Sequence, residues 1–301
     1  MTALEQSAIQ TALPLHVSHR LTVFQLKTIL AATDFTPRSA AVTRRAAQLA
    51  CAHGARLVLV HAIEARKTKV QRLRLRKPVD PVARADAEMD KLRASCPELD
   101  LSCHILQGKP GKLVPDLARD LGADLIVLGL HVVRRVLETV RLTNLERITQ
   151  HAPCPILIAH NPDVRPYRRV LGAITFAPAS AKALEIAAAI APDGSYHAIH
   201  ALQLPLSAKL PSSDVMKSAE MTEAELLRQT FMSFKGLPKS LPLPEIVPGG
   251  VHEVLQFRVR ELQPDLVVIG SHSGRDANTL GNYARDLMRA PPTDMLVAKP
   301  D

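Results

Sequence analysis

ILQGKPGKLVPDLARDLGADLIVLGLH, residues 105–131, aligns without a gap on IVPGGVHEVLQFRVRELQPDLVVIGSH, residues 246–272, and the two stretches stand 141 residues apart. The register extends backwards. KTILAATDFTPRSAAVTRRAAQLACAHGARLVLVHAIE (27–64) aligns on RRVLGAITFAPASAKALEIAAAIAPDGSYHAIHALQ (168–203), pairing Ile29 with Val170, Phe35 with Phe176, Pro37 with Pro178 and Ser39 with Ser180. The ends also correspond: HAPCPILIA (151–159) matches RAPPTDMLVA (289–298). The 301-residue chain is therefore a tandem duplication, and a repeat written twice decides the architecture.

Within each repeat, short β-branched or Leu-rich runs alternate with helical patterns. TILAATD reads as a strand, and SAAVTRRAAQLACAHG as a helix that stops at Gly54, where a glycine can take the left-handed conformation. ARLVLVHAI is the next strand, KLVPDLARDLG a helix closed by Gly122, and DLIVLG a strand too apolar to have a wet face. Continuous apolar strands separated by helices indicate a parallel sheet covered on both sides. The expected fold class is α/β, with two tandem doubly wound parallel-sheet domains. The expected division is an N-terminal arm at 1–25, a first domain at 26–162 and a second at 163–301, with the proline-containing AHNPDVRPYRR (159–169) at the boundary. Ligands of such sheets sit outside the carboxyl ends of the strands. Asp34, His61 and Gly129 fall there in repeat one, and Thr175, His200 and Gly270 in repeat two.

Composition narrows the class. The chain is 47% hydrophobic and 22% charged, as in globular proteins. No apolar run is long enough to span a bilayer. The N-terminus lacks a basic segment followed by an apolar one, so the expected location is the cytoplasm, with Cys51, Cys96, Cys103 and Cys154 as reduced thiols. The formal charge of +9 owes much to Arg66, Lys67, Lys69, Arg72, Arg74, Arg76 and Lys77. A chain with no Trp and few Tyr or Phe offers no stacking platform beside that run. It reads as a solvated surface rather than a nucleic-acid site.

The residues ATDF with the following helix, ADLIVLG and HAPCPILIA resemble the universal stress protein family, whose fold is Rossmann-like and of the adenine-nucleotide α-hydrolase type. The resemblance covers about Lys27 to Pro300 and implies an intramolecular pseudo-dimer paired through the last strands, CPILIAH and DMLVAK. It also implies a non-enzymatic stress-response protein that binds a small ligand or a protein partner, and leaves room for a homodimer of tandem chains. In ATP-binding members an acid ends the first strand and a G-x2-G-x9-G-[ST] loop wraps the phosphates. Glycines let backbone N–H groups approach closely, and the next helix offers its positive end.

The two repeats depart from that pattern in opposite ways. Repeat one keeps Asp34, Gly129 and, at the hydroxyl position, Thr143, but has Val132 and Leu142 where the other glycines belong. Repeat two has Thr175 in place of the acid and retains Gly270 and Gly281, with Asn282 at the hydroxyl position. Its loop is two residues short, with Ser273 where the middle glycine belongs and Gly274 next to it; His272 completes a Gly, Ser, His and Asn anion nest. The same resemblance adds Ala62 and Ala201, which follow the strand-end histidines, to the expected contacts. The small ligand it implies is ATP or another adenine nucleotide, favoured in repeat two, with magnesium only alongside ATP. Two alternatives remain: an ATP-binding protein with slow hydrolysis, and an interaction or lipid-associated module with degenerate sites.

Other groupings read as structural. His61, His131, His200 and His272 lie at strand ends without the matching Cys or carboxylate spacing of a metal site. Ser39 and Ser180 follow prolines at helix starts and read as N-caps. No catalytic triad stands out. The insert at 203–245 contains SAEMTEAELLRQTFMSF, expected to be an amphipathic helix presenting Met221, Leu226, Leu227, Phe231 and Phe234 on one face.

Overall fold

The computed structural model describes residues 24–64, 80–130, 143–203, 219–271 and 280–298. Repeat one runs β1 (Thr28–Ala32), α1 (Ala40–His53), β2 (Arg56–Ile63), α2 (Pro81–Ser95), β3 (Leu101–Gln107), α3 (Pro110–Leu121), β4 (Leu125–Leu128), α4 (Asn144–His151) and β5 (Ile156–Ile158). Repeat two runs β6 (Arg169–Ala173), α5 (Pro178–Ile190), β7 (Ser195–Leu202), α6 (Ala219–Met232), β8 (Glu245–Pro248), α7 (Val251–Leu262), β9 (Leu266–Gly270), α8 (Asn282–Arg289) and β10 (Asp294–Ala298). The basic run at 66–77 lies outside the described residues.

All ten strands form one sheet, in the order β3-β2-β1-β4-β5-β10-β9-β6-β7-β8. Pairing is parallel throughout each repeat and antiparallel only where β5 meets β10, with Leu157 opposite Leu296. The last strands are thus the seam, and a pseudo-twofold axis relates the halves. Successive side chains of a strand point to opposite faces, so the period-two pattern sorts the core into two layers. Ile29, Ala31, Leu57, Leu59, Leu157 and Leu296 pack under α1, α2, α5 and α6. Leu30, Val58, Val60, Ile156, Ile158 and Met295 pack under α3, α4, α7 and α8. Both layers continue across the seam, so the repeats share one core. Each fully buried Leu or Ile contributes roughly 1.5–3 kcal/mol to that core.

The helix stops follow the sequence. Gly54 and Gly122 both adopt the left-handed conformation, with φ of 61° and 59°. The position equivalent to Gly122 is Gln263, which adopts the same conformation at φ 47° despite its Cβ.

Three expectations are corrected. Cys51 and Cys96 are joined by a disulfide that ties α1 to the end of α2, while Cys103 and Cys154 are free. The thiol reading failed because sequence spacing does not show that these two side chains meet. Ser39 and Ser180 do not cap their helices: neither α1 nor α5 has a side-chain cap, and both hydroxyls turn back to the preceding strand end. In α6 the buried residues are Met221, Ala224 and Phe231, whereas Leu226 and Leu227 face solvent. Positions 221, 224 and 231 recur at helical spacing and fill the inward stripe, which leaves the two leucines on the opposite side.

Candidate functional site

The carboxyl ends of β1 and β6 carry a matched piece of strained backbone. Phe35 and Phe176 both have positive φ, 54° and 57°, a conformation that is unfavourable for a residue with a bulky Cβ. Each ring lies against the histidine two residues before the end of the neighbouring strand: Phe35 and His61 are tilted at 5.6 Å, Phe176 and His200 stacked at 4.5 Å. The Nδ1 of His61 lies 2.9 Å from the carbonyl of Thr33, and that of His200 lies 3.0 Å from the carbonyl of Ile174. Burial pushes the His200 imidazole below its usual pKa, against the opposing effect of the Ile174 carbonyl. The neutral ring is thereby favoured.

The acid of repeat one is already engaged. Asp34 Oδ1 accepts from the Thr36 N–H at 3.0 Å, the Thr36 hydroxyl at 2.7 Å and the Ser39 hydroxyl at 2.9 Å. Partial burial would raise its pKa; the bonds from Thr36 and Ser39 and the nearby His61 outweigh that and hold it below the usual value. In repeat two the substituted Thr175 is held by Ser180, whose Oγ accepts from the Thr175 N–H at 3.1 Å and lies 3.3 Å from its hydroxyl. A serine at the start of the helix fixes the strand end in both repeats.

Gly129 directly follows β4 and Gly270 ends β9, but their lack of a side chain has a packing cause. A Cβ at Gly129 would stand 3.0 Å from Val42 of α1, and one at Gly270 would stand 3.1–3.2 Å from Ala179 and Ser180 of α5. The first helix of each repeat presses directly on the strand end.

The helices that begin beyond these strands differ. Thr143 is the N-cap of α4 and forms a capping box: its Oγ1 accepts from the Glu146 N–H at 3.2 Å, and the Glu146 carboxylate accepts from the Thr143 N–H at 2.6 Å. Glu146 is fully buried. Gly281 is the N-cap of α8 and has no side-chain cap. The helix starts therefore set Thr143 against Gly281, not against Asn282, which is already the first residue of α8. The positive end of α4 is filled by the chain's own carboxylate, while the first turn of α8 holds no acid.

A cavity of about 400 Å³ opens where α8 begins. Thr175, Ala201, Gly270 and Gly281 line it together with His200 and Ser271, and Val251, Leu255, Ile269 and Ala284 supply apolar walls. Four of the sequence-expected residues of repeat two thus meet in one place, drawn from β6, β7, β9 and the start of α8. Asn282 adjoins the cavity in sequence without lining it. His272, Ser273 and Gly274 lie outside the described residues, as do His131, Val132 and Leu142 of repeat one. Ala62, next to last in β2, and Gly129, just after β4, hold the equivalent region of repeat one.

Sequence reasoning missed Ser180 as a strand-end clamp, Tyr283 in the cavity wall and the pairing of Glu146 with α8. A signal existed for the last: Thr143 followed three residues later by Glu146 is the capping-box pattern. Among the described residues no group of three or more His, Cys, Asp or Glu side chains could hold a metal ion, and no helix is long and apolar enough to cross a membrane.

Known proteins share this fold. A universal stress protein in the QAH/OAS sulfhydrylase 3'region of Thermus aquaticus is 33% identical over 141 residues, which is 44% of this chain and 97% of that protein. The crystal structure of a universal stress protein from Archaeoglobus fulgidus DSM 4304 superposes with a TM-score of 0.62 over 92% of this chain and 97% of its own, at 17% identity. A protein of Pseudomonas aeruginosa PAO1, described as functionally unknown, gives the same TM-score and 18% identity, over 92% of this chain and 93% of its own. The universal stress protein family matches twice, at residues 25–160 and 166–299, and the chain belongs to that family as a tandem of two such domains.

Proposed function

We propose that this protein is a non-enzymatic, cytoplasmic stress-response protein whose second repeat binds a small ligand, an adenine nucleotide such as ATP. The observation that carries the reading is the cavity at the carboxyl ends of β6, β7 and β9, into which the start of α8 opens without a side-chain cap. Backbone N–H groups at a helix start and the helix dipole together favour a phosphate, and the apolar walls suit a flat ring. In repeat one the equivalent helix start is closed by Glu146, so a phosphate there would meet a carboxylate.

Thermal unfolding of the full chain with saturating ATP, with and without magnesium, tests this. A ligand that binds only the native state at 100 times its Kd stabilises by about 2.7 kcal/mol, which a melting curve resolves. An unchanged Tm under both conditions overturns the nucleotide reading. Gly281→Leu should abolish the shift by filling the start of α8, whereas a shift that survives moves the site to repeat one.

A second reading, an interaction module, draws support from the exposed Leu226 and Leu227 on α6 and Leu243 beyond it. An absent ATP shift combined with a change in self-association on Leu226→Lys would favour it.

A further inference from the structure

We infer that Glu146 of repeat one is a positioning residue for the cavity of repeat two. The inference rests on the cavity of repeat two being the ligand site. The carboxylate of Glu146 crosses the seam. Its Oε1 accepts from the Arg289 Nε at 3.0 Å and pairs with the Arg285 Nε at 3.7 Å, while its Oε2 accepts from the Thr143 N–H at 2.6 Å. Both arginines lie on α8, one turn apart, and are about one-third exposed, whereas the acid is fully buried. Charge is concentrated on one group that has no access to water, so its partners must stay in place.

The location of α8 gives this contact its consequence. The same short helix and its N-cap supply Tyr283, Ala284 and Gly281 to the cavity. It spans only Asn282–Arg289, two turns, and starts without a side-chain cap. A helix of two turns is not stable by itself. Leu287, Met288 and Ala284 hold it onto the sheet, and the Glu146 carboxylate fixes it from the other repeat, along the side that meets α4.

The arrangement works in one direction. Three residues after the N-cap, α4 has Glu146 and α8 has Ala284. Within the α4–α8 contact repeat one therefore supplies the carboxylate, and α8 has no acid at the matching position. The buried acid also joins two regions: Thr143, which it bonds, adjoins the end of β4's connection in repeat one, and Arg285 adjoins the cavity wall in repeat two. This assigns unlike tasks to the two copies, with the first closed by its own acid and bracing the second.

Hydrogen–deuterium exchange of the intact chain, read on peptides covering residues 280–290, tests the brace without any ligand. Glu146→Gln keeps the capping pattern, since glutamine serves at that position, and removes only the charge. Exchange in 280–290 is expected to rise on the order of tenfold or more. Arg289→Met should also raise local exchange, and the double variant should add little to Glu146→Gln, because the carboxylate is the partner Arg289 shares with Arg285. Unchanged exchange in both single variants, or fully additive effects, overturns the inference. Should Glu146→Gln fail to fold, Arg289→Met decides alone, because it leaves the capping box intact. Calorimetry with ATP provides the second arm: its Kd should weaken at least about fivefold in Arg289→Met, measured at a temperature where the variant is fully folded. Failure of the wild-type chain to bind ATP would defeat the nucleotide reading, and the exchange result would still judge the brace.

Discussion

The most informative residues are those whose identity differs between the repeats while their backbone does not. Asp34 and Thr175 follow equivalent strands, precede equivalent positive-φ phenylalanines and are held by equivalent serines. The serine works as an acceptor for Thr175 and as a donor to Asp34, which a hydroxyl can do by rotating. His200 offers a test at this scale. Its folded-state pKa lies below the ordinary 6.5, so the unfolded chain binds the proton more readily than the folded one. The stability this neutral ring supports is fully present above pH 6.5 and is lost as pH falls through the folded value. His200→Asn keeps a donor for the Ile174 carbonyl but cannot titrate. Urea unfolding of the two proteins at pH 7.5 and at pH 5 should show a steeper acid loss for the wild type. Parallel losses would show that His200 does not control acid sensitivity.

At the scale of elements, α2 stands apart from its neighbours. Of its own fifteen residues only Ala85 and Leu92 are buried, too little apolar surface to hold it strongly. The Cys51–Cys96 bond supplies what packing lacks, spanning a sequence separation of 45. Chain-entropy arguments put such a crosslink on the order of 4 kcal/mol. Reduction should therefore lower Tm by several degrees and open 81–95 to proteolysis before the rest of repeat one. Thiol alkylation before and after reductant, read as a mass change, reports the oxidised pair directly. An identical Tm and protease pattern in both states would mean that α2 stays docked by its contacts alone. The elements themselves were legible because their periodicities are strong. The solvent-facing side of α6 was not, since Leu226 and Leu227 look like core residues until the sheet shows which side is inward.

For the whole molecule, the seam determines behaviour. Beside the β5–β10 pair, Asp294 is buried and accepts from the Tyr167 hydroxyl at 2.7 Å, the His160 N–H at 2.8 Å and the Asn161 N–H at 2.9 Å, and pairs with Arg45 at 3.2 Å. Arg45 also stacks over the Tyr167 ring at 4.0 Å. Burial, with the adjacent Asp294 carboxylate, pushes the Tyr167 hydroxyl well above its usual pKa, so it stays a donor. Removing one partner of such a network leaves an uncompensated charge. Asp294→Ala is expected to destabilise the chain by about 3–5 kcal/mol, measurable by denaturant unfolding. Loss below about 1 kcal/mol, the level of an exposed pair, would show that Arg45 finds water or another acceptor. The two repeats should unfold in one transition, because both core layers run through the seam.

The sequence by itself determined the tandem α/β architecture, the strand ends where residues of a site would gather, and the opposite losses in the two repeats. The first two follow from local periodicity and from comparing the chain with itself, the third from the resemblance to the family, and none needs a third dimension. The tertiary structure decided which residues meet: that Asp34 serves its own loop, that Gly129 and Gly270 admit a helix, that Cys51 reaches Cys96, and that Glu146 closes α4 while gripping α8. Each is a contact made by packing helices on a sheet, between side chains whose directions are fixed only once the sheet is assembled.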